Sequence, residues 1–130
     1  MDGSEELNNL TGSIIGAAIR VHTRLGPGLL EHTYTRCLCH ELERNGHNVK
    51  SEFLVDLEYE GLVIQGAYRI DLIVADAVII EVKAVQKILP VHHSQVITYL
   101  KLARKKVGLL INFNVAALPD GLKRFVNGLE

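Results

Sequence analysis

Tyr68-Arg-Ile-Asp71-Leu-Ile-Val-Ala75-Asp-Ala77-Val-Ile-Ile-Glu81-Val-Lys83 decides how the chain folds. Two β-branched apolar runs flank Ala75-Asp76-Ala77, and each carries charge that a plain sheet avoids: Asp71 in the first, Glu81 and Lys83 in the second. The pattern predicts a β-hairpin. Strand side chains alternate faces, so Glu81 and Lys83 share one face and Ile80 and Val82 the other. With a three-residue loop at 75–77, Val74 opposes Val78, Ile73 opposes Ile79, and Asp71 falls opposite Glu81 on the same face. A two-residue loop would set Asp71 against Ile80 and scatter the charges.

Two carboxylates so placed repel by about 4 kcal/mol at roughly 4 Å and an effective dielectric of about 20. A hard divalent cation with oxygen ligands offsets that cost, and Lys83 adds positive charge beside it. The alternative is a cross-strand charge ladder on a solvated face, with Lys83 neutralising Glu81. Ile73 and Ile79 on the same face predict a partly covered cleft, which counts against the ladder.

The chain has 130 residues and a net charge of −1, and 48% of its residues are hydrophobic. That length and composition predict one ordered domain over 1–130, with a frayed polar lead-in over residues 1–6. Tryptophan is absent and aromatics are only 5%, so the core is expected to be aliphatic. No apolar run approaches the ~20 residues that span a bilayer, and Met1-Asp-Gly-Ser-Glu-Glu6 is acidic where a secretory signal is basic, so a cytoplasmic protein is expected. Cys37 and Cys39, two apart on a helix, diverge, which disfavours a mutual disulfide, and with no further cysteine they make no zinc site. The near-neutral charge counts against tight nonspecific binding of nucleic acid. Lys101, Arg104, Lys105 and Lys106 cluster where they complement the negative end of a helix. A smaller basic pair is Lys123-Arg124.

Leu10, Ile14, Ala17, Ala18 and Val21 predict a helix from Leu7 to about Thr23, broken by Gly26-Pro27-Gly28. A second helix is expected from just after Pro27 to about Asn45, with Leu30, Tyr34, Leu38 and Leu42 as its apolar stripe. Glu31 then lies in its first turn at the edge of the core side, where the helix dipole alone favours a carboxylate. Val49 to Tyr59 reads as a strand with Phe53, Val55 and Leu57 alternating. Glu60-Gly61 turns it back, and Gly66 marks a bulge that aims Asp71. Pro90 opens a third helix to about Lys105, on which Val96, Leu100 and Ala103 form the apolar stripe and His92, Gln95, Tyr99 and Leu102 the adjoining one. Val107 to Phe113 is a final buried strand. Pro119-Asp120-Gly121 turns into a terminal segment of open type. His92 and His93 diverge by about 100° and cannot chelate one ion together, so both are read as surface or boundary residues.

Asp71 with Glu81-Val82-Lys83 on the next strand resembles the D…(D/E)-x-K signature of the PD-(D/E)xK nucleases. Gly28-Leu-Leu-Glu31-His-Thr-Tyr34 reproduces the motif that names the GxxExxY family, which is similar to that nuclease fold. The resemblance runs on through Pro90-Val-His92-His-Ser-Gln95, Thr98-Tyr99-Leu-Lys101 and Gly108-Leu-Leu-Ile-Asn112-Phe113. It implies a restriction endonuclease-like α/β fold, with a mixed central β-sheet flanked by α-helices. It further implies that Glu31, Asp71 and Glu81, with the carbonyl of Val82, hold Mg²⁺ or Mn²⁺. Lys83 would stabilise charge at the phosphate or orient the water. Gln95, with Tyr99 beside it, would position that water. The implied activity is metal-dependent hydrolysis of phosphodiester bonds in nucleic acid, DNA more than RNA. By analogy, cutting both strands would take two copies in a homodimer. Two further readings stand beside it: a nuclease-derived fold that binds nucleic acid or protein without cutting, and a structural homodimer whose hairpin charges form ion pairs.

Overall fold

The computed structural model describes residues 3–128. In chain order it comprises α1 (Gly3–Leu25), α2 (Glu31–Arg44), β1 (Val49–Tyr59), β2 (Leu62–Val74), β3 (Val78–Lys83), α3 (Pro90–Ala103), β4 (Val107–Asn112), a 3₁₀ turn (Leu118–Gly121) and β5 (Leu122–Val126). The five strands lie in sequence order. Only β3 and β4 run parallel, with α3 as the crossover between them; every other neighbouring pair is antiparallel. The result is a mixed sheet with helices on both faces.

Alternation along the central strands sorts the core into two layers. Leu72, Ile80, Val82, Leu109 and Ile111 pack with Ile14, Ala17, Tyr34 and Leu38 of α1 and α2. Ile73, Ile79 and Leu110 pack with Val96 and Leu100 of α3. Strands covered on both faces are apolar almost throughout, which is why β4 is buried from end to end. Gly108 lets α3 close onto β4, since a Cβ there would meet Val96 Cγ1 at 2.9 Å.

Several boundaries differ from the sequence reading. Residues 1 and 2 lie outside the described region, and α1 already begins at Gly3, inside the expected polar lead-in. α2 starts at Glu31, a turn later than expected, because Gly26 and Gly28 take φ of +67° and +102° and Leu30 is extended at φ −70°, ψ 145°. Helical periodicity does not hold outside a helix, so Leu30 leaves the core stripe and is 78% exposed, whereas Tyr34, Leu38 and Leu42 are buried. Phe53, expected on the inner face of its strand, is exposed, in a β1 that sits at the edge of the sheet. α3 ends at Ala103, so of the basic cluster only Lys101 lies in its last turn. Lys105 instead bridges to Asp76 at 3.0 Å. The segment left open is β5, which pairs with β4 and buries Phe125.

Candidate active site

The hairpin register is the one read from the sequence: Val74 faces Val78, Ile73 faces Ile79 and Leu72 faces Ile80. One step further, at Asp71 and Glu81, the regular ladder stops. Val82 N–H donates to Asp71 Oδ2 at 2.8 Å, and Asp71 N–H donates to Glu81 Oε1 at 3.3 Å. Each carboxyl therefore takes up a backbone donor that the opposite strand would otherwise have satisfied. β2 and β3 part here with the two acids between them.

The other edge of β2 is also disturbed at this level. β1 pairs Ser51 with Leu72 and Phe53 with Ile70, but Glu52 between them drops out of the register and adopts φ +51°. Side-chain sorting changes with it. Leu72 and Val74 face the α1/α2 layer and Ile73 faces α3, yet Ile70 and Tyr68, of the same parity as Leu72, also pack on the α3 side. Alternation is thus reset around Asp71, which sits at the pivot between layers. The bulge expected at Gly66 exists, as a register shift between Val55 and Leu57 with Gly66 N–H donating to Asp56 Oδ1 at 2.8 Å. The irregularity that adjoins Asp71 is the one at Glu52.

Glu31, at the start of α2, acts on the acids through its charge. Its position depends on the preceding loop, which Tyr34 clasps: the phenol donates to Gly26 C=O and accepts from Leu29 N–H at 3.1 Å. The Tyr34 ring stacks on Phe113 at 4.6 Å. In the Gly28…Glu31…Tyr34 motif, glycine supplies the positive φ, tyrosine fixes the loop and glutamate opens the helix.

Burial pushes the Glu81 carboxyl up to about 8, helped by the charge of Asp71; Asp71 N–H, the Lys83 ammonium and Glu31 act more weakly, the first two downward and Glu31 upward. Burial also raises Asp71, against the Val82 N–H and Lys83, with Glu31 adding to the rise. At neutral pH the ion-free pair therefore retains a proton. Among the described residues no three His, Cys, Asp or Glu side chains are grouped as a ready-made ion cage. Asp71 and Glu81 form the joined pair, and Glu31 acts on both through its charge.

The α3 side supplies neutral polar groups. Burial raises the Tyr99 phenol, and the charges of Glu81 and Asp71 raise it further. Gln95 Oε1 is buried with no hydrogen-bond partner. Tyr68, which the sequence reading did not single out, stacks on Tyr99 at 4.7 Å, and burial pushes its phenol up to about 12. Strand alternation hides Tyr68, because three positions from Asp71 it belongs on the opposite face unless the register of faces resets. His92 and His93 are boundary residues: His92 Nδ1 accepts Leu89 N–H at the start of α3, and His93 meets Phe125 edge-on.

The donor set fits a hard cation. It offers carboxylate oxygens buried close together, a neighbouring ammonium that already lowers both, and an amide oxygen with nothing to accept from. No helix among the described residues is long and apolar enough to cross a membrane. No curated protein and no solved structure shows a significant match to the chain. A family model of the PD-(D/E)XK nuclease superfamily does match, over residues 8–125. That span contains both helical layers, all three acids, Lys83, Gln95 and four of the five strands complete, on a mixed sheet of restriction endonuclease-like type, and the chain belongs to the PD-(D/E)XK nuclease superfamily.

Proposed function

We propose that this protein is a metal-dependent nuclease that hydrolyses phosphodiester bonds of nucleic acid, DNA in preference to RNA. The observation that carries the reading is the interlocked Asp71–Glu81 pair, where a buried and a half-buried acid meet between parting strands. Keeping a buried and a half-buried carboxyl together is costly even with Lys83 nearby, and a structural role would be met more cheaply by apolar residues of similar size. Asp71, Glu81, Glu31 and the carbonyl of Val82 would hold Mg²⁺ or Mn²⁺. When bound, such an ion polarises the scissile phosphate and lowers the pKa of a coordinated water.

The chain's own groups do the rest. Lys83 stands beside the pair and stabilises charge growing on the phosphate oxygens, or orients the attacking water. The free Oε1 of Gln95 accepts a hydrogen bond from that water and fixes its direction. Tyr99, kept protonated by its surroundings, remains a hydrogen-bond donor at the same wall. We place the protein in the cytoplasm and infer that two copies act together when both strands of a duplex are cut.

The test is incubation of purified protein with single- and double-stranded DNA and RNA in Mn²⁺ or EDTA. Cleavage should require the ion. Asp71→Ala and Lys83→Ala should each lower it by about 10³-fold or more, with the circular dichroism spectrum unchanged. Unaltered turnover in either variant defeats the proposal. A net charge of −1 favours a second reading, a fold of the same superfamily that binds without cutting; binding with no cleavage in any ion would establish it.

A further inference from the structure

Away from the hairpin, the groove between α1 and α2 gathers four of the chain's seven arginines: Arg20 and Arg24 from α1, Arg36 and Arg44 from α2. The one carboxylate among them, Glu41, is taken by Arg20 at 2.9 Å, whose hydrogen bond holds it below the usual carboxylate range. Counting His40 as neutral, four arginines and one glutamate leave the groove at +3 in a chain of net charge −1. Among the described residues no ion pair involves Arg24, Arg36 or Arg44, and all three are exposed. Elsewhere Arg69 pairs with Glu52, Lys50 and Lys105 with Asp76, and Arg124 bonds Asn8, while the other cations without an ion pair among the described residues are not gathered in one groove.

Helix dipoles account for Arg24 and Arg44, which lie in last turns, but not for Arg20 and Arg36. Arg36 also lines the cleft on the other flank of α2, together with His32. Glu43 and Glu52 line that cleft too, so the surplus of positive charge belongs to the α1/α2 groove; cleft and groove both run along α2, whose first residue is Glu31. From Arg36 to Arg44 the helix rises about 12 Å, the length of roughly three to four nucleotides at 3.4 Å each. The apolar floor, with Ile19 and Leu25, would also suit an acidic amphipathic protein segment. Placement on the helix that Glu31 opens favours the nucleic acid.

We propose that the α1/α2 groove is the track that holds the phosphates of a nucleic-acid strand leading to the Asp71–Glu81 site. The proposal rests on the nuclease reading for its occupant, but its test needs neither cleavage nor an ion. Labelled single- and double-stranded DNA and single-stranded RNA are titrated in EDTA at several salt concentrations, and binding is read by fluorescence anisotropy. For each probe the parent binds, the triple variant Arg24→Gln/Arg36→Gln/Arg44→Gln should lose tenfold or more in affinity at low salt. The slope of log K against log salt should shrink by about 2 to 3, since each lost phosphate contact removes about 0.7 to 0.9. The matching triple lysine variant, which keeps the charge, should retain most of the slope.

Unchanged affinity and slope in the glutamine variant overturn the track, as does a parent protein that binds none of the probes. A polyglutamate probe that loses binding while nucleic-acid binding persists would assign the groove to a protein segment and overturn it too. A protein that binds through these arginines yet never cuts would leave the track standing and sink the nuclease reading. One that cuts with an unaltered KM after their loss would do the reverse.

Discussion

The two halves of β2 are built from the same kinds of residue and live in different surroundings. Leu72, Ile73 and Val74 are buried, paired to β1 on one side and to β3 on the other. Leu62, Val63 and Ile64 are equally apolar, pair with β1 alone, and are 58%, 57% and 41% exposed. Hydropathy does not tell these halves apart; the number of neighbouring strands does. A two-stranded ribbon buries too little to be stable alone, whereas a strand with neighbours on both edges and helices on both faces belongs to the core. Asp71 occupies the boundary, where the sheet stops being closed and polar groups gain access to the backbone of both strands.

The sharpest way to break this comparison is to shorten one apolar side chain in each half. Leu72→Ala should cost about 2 to 5 kcal/mol in urea unfolding. Val63→Ala should fall within about 0.5 kcal/mol of the parent. Equal losses at both positions would mean that the outer half is covered in solution and that the contrast is false.

The boundary itself should respond to pH. Glu81 sits at about 8 in the folded chain against an ordinary value of 4.5, so between those limits the folded state holds a proton that the unfolded state has released. Stability is therefore fullest below about pH 4.5, declines as pH rises towards 8, and levels off above. This one group contributes on the order of 5 kcal/mol of decline, and Asp71, also raised, adds in the same direction. Chemical denaturation at several pH values checks it: Glu81→Gln should flatten the profile relative to the parent, and saturating Mg²⁺ should do so in the parent. A parent curve parallel to that of the glutamine variant would show that the gap is open to water.

How far these features could be read beforehand follows from the same contrast. The hairpin register was legible because period-two alternation and a three-residue loop leave one pairing that groups the charges, and β1 emerged with its observed limits because Asn45-Gly46 and Glu60-Gly61 punctuate it. That Gln95 and Tyr99 share a stripe of α3 followed from helical spacing, whereas a role for them at the site came only from the family resemblance. What alternation could not reveal was its own interruption: Tyr68 and Ile70 lie on the α3 side because faces reset at Asp71, and no residue type announces that. β5 escaped notice because a five-residue edge strand that buries Phe125 alone carries almost no pattern. The clasp made by Tyr34 was hidden too, since a buried tyrosine on an apolar stripe reads as core until its hydroxyl partners are known.

That clasp gives a smaller prediction. Tyr34→Phe keeps the ring stacked on Phe113 and removes both hydrogen bonds to the 26–30 loop. The cost should be about 1 to 3 kcal/mol in thermal unfolding, because Gly26 C=O and Leu29 N–H lose their partner. Cleavage should fall in step with the loosening of Glu31. A variant as stable and as active as the parent would mean that the loop is held by its own glycines.

The smallest effect probes the pivot from the β1 side. Glu52 holds φ +51° in mid-strand, a conformation that costs a non-glycine residue roughly 1 kcal/mol or more. Its ion pair with Arg69, 3.5 Å apart between two half-exposed side chains, returns little. Replacing it with glycine removes the steric cost and adds the entropy of a freer unfolded chain, about 0.5 to 1 kcal/mol. Glu52→Gly should therefore be neutral or stabilising by up to about 1 kcal/mol. Ser51→Gly, one residue away and without a positive φ, has no strain to relieve and should destabilise by about 0.5 to 1 kcal/mol. The sign of the difference between the two variants, read from matched urea curves, is the informative quantity. If both destabilise equally, the backbone at Glu52 carries no strain, and the turning of β2 at Asp71 must originate with the interlocked carboxyls on its other edge.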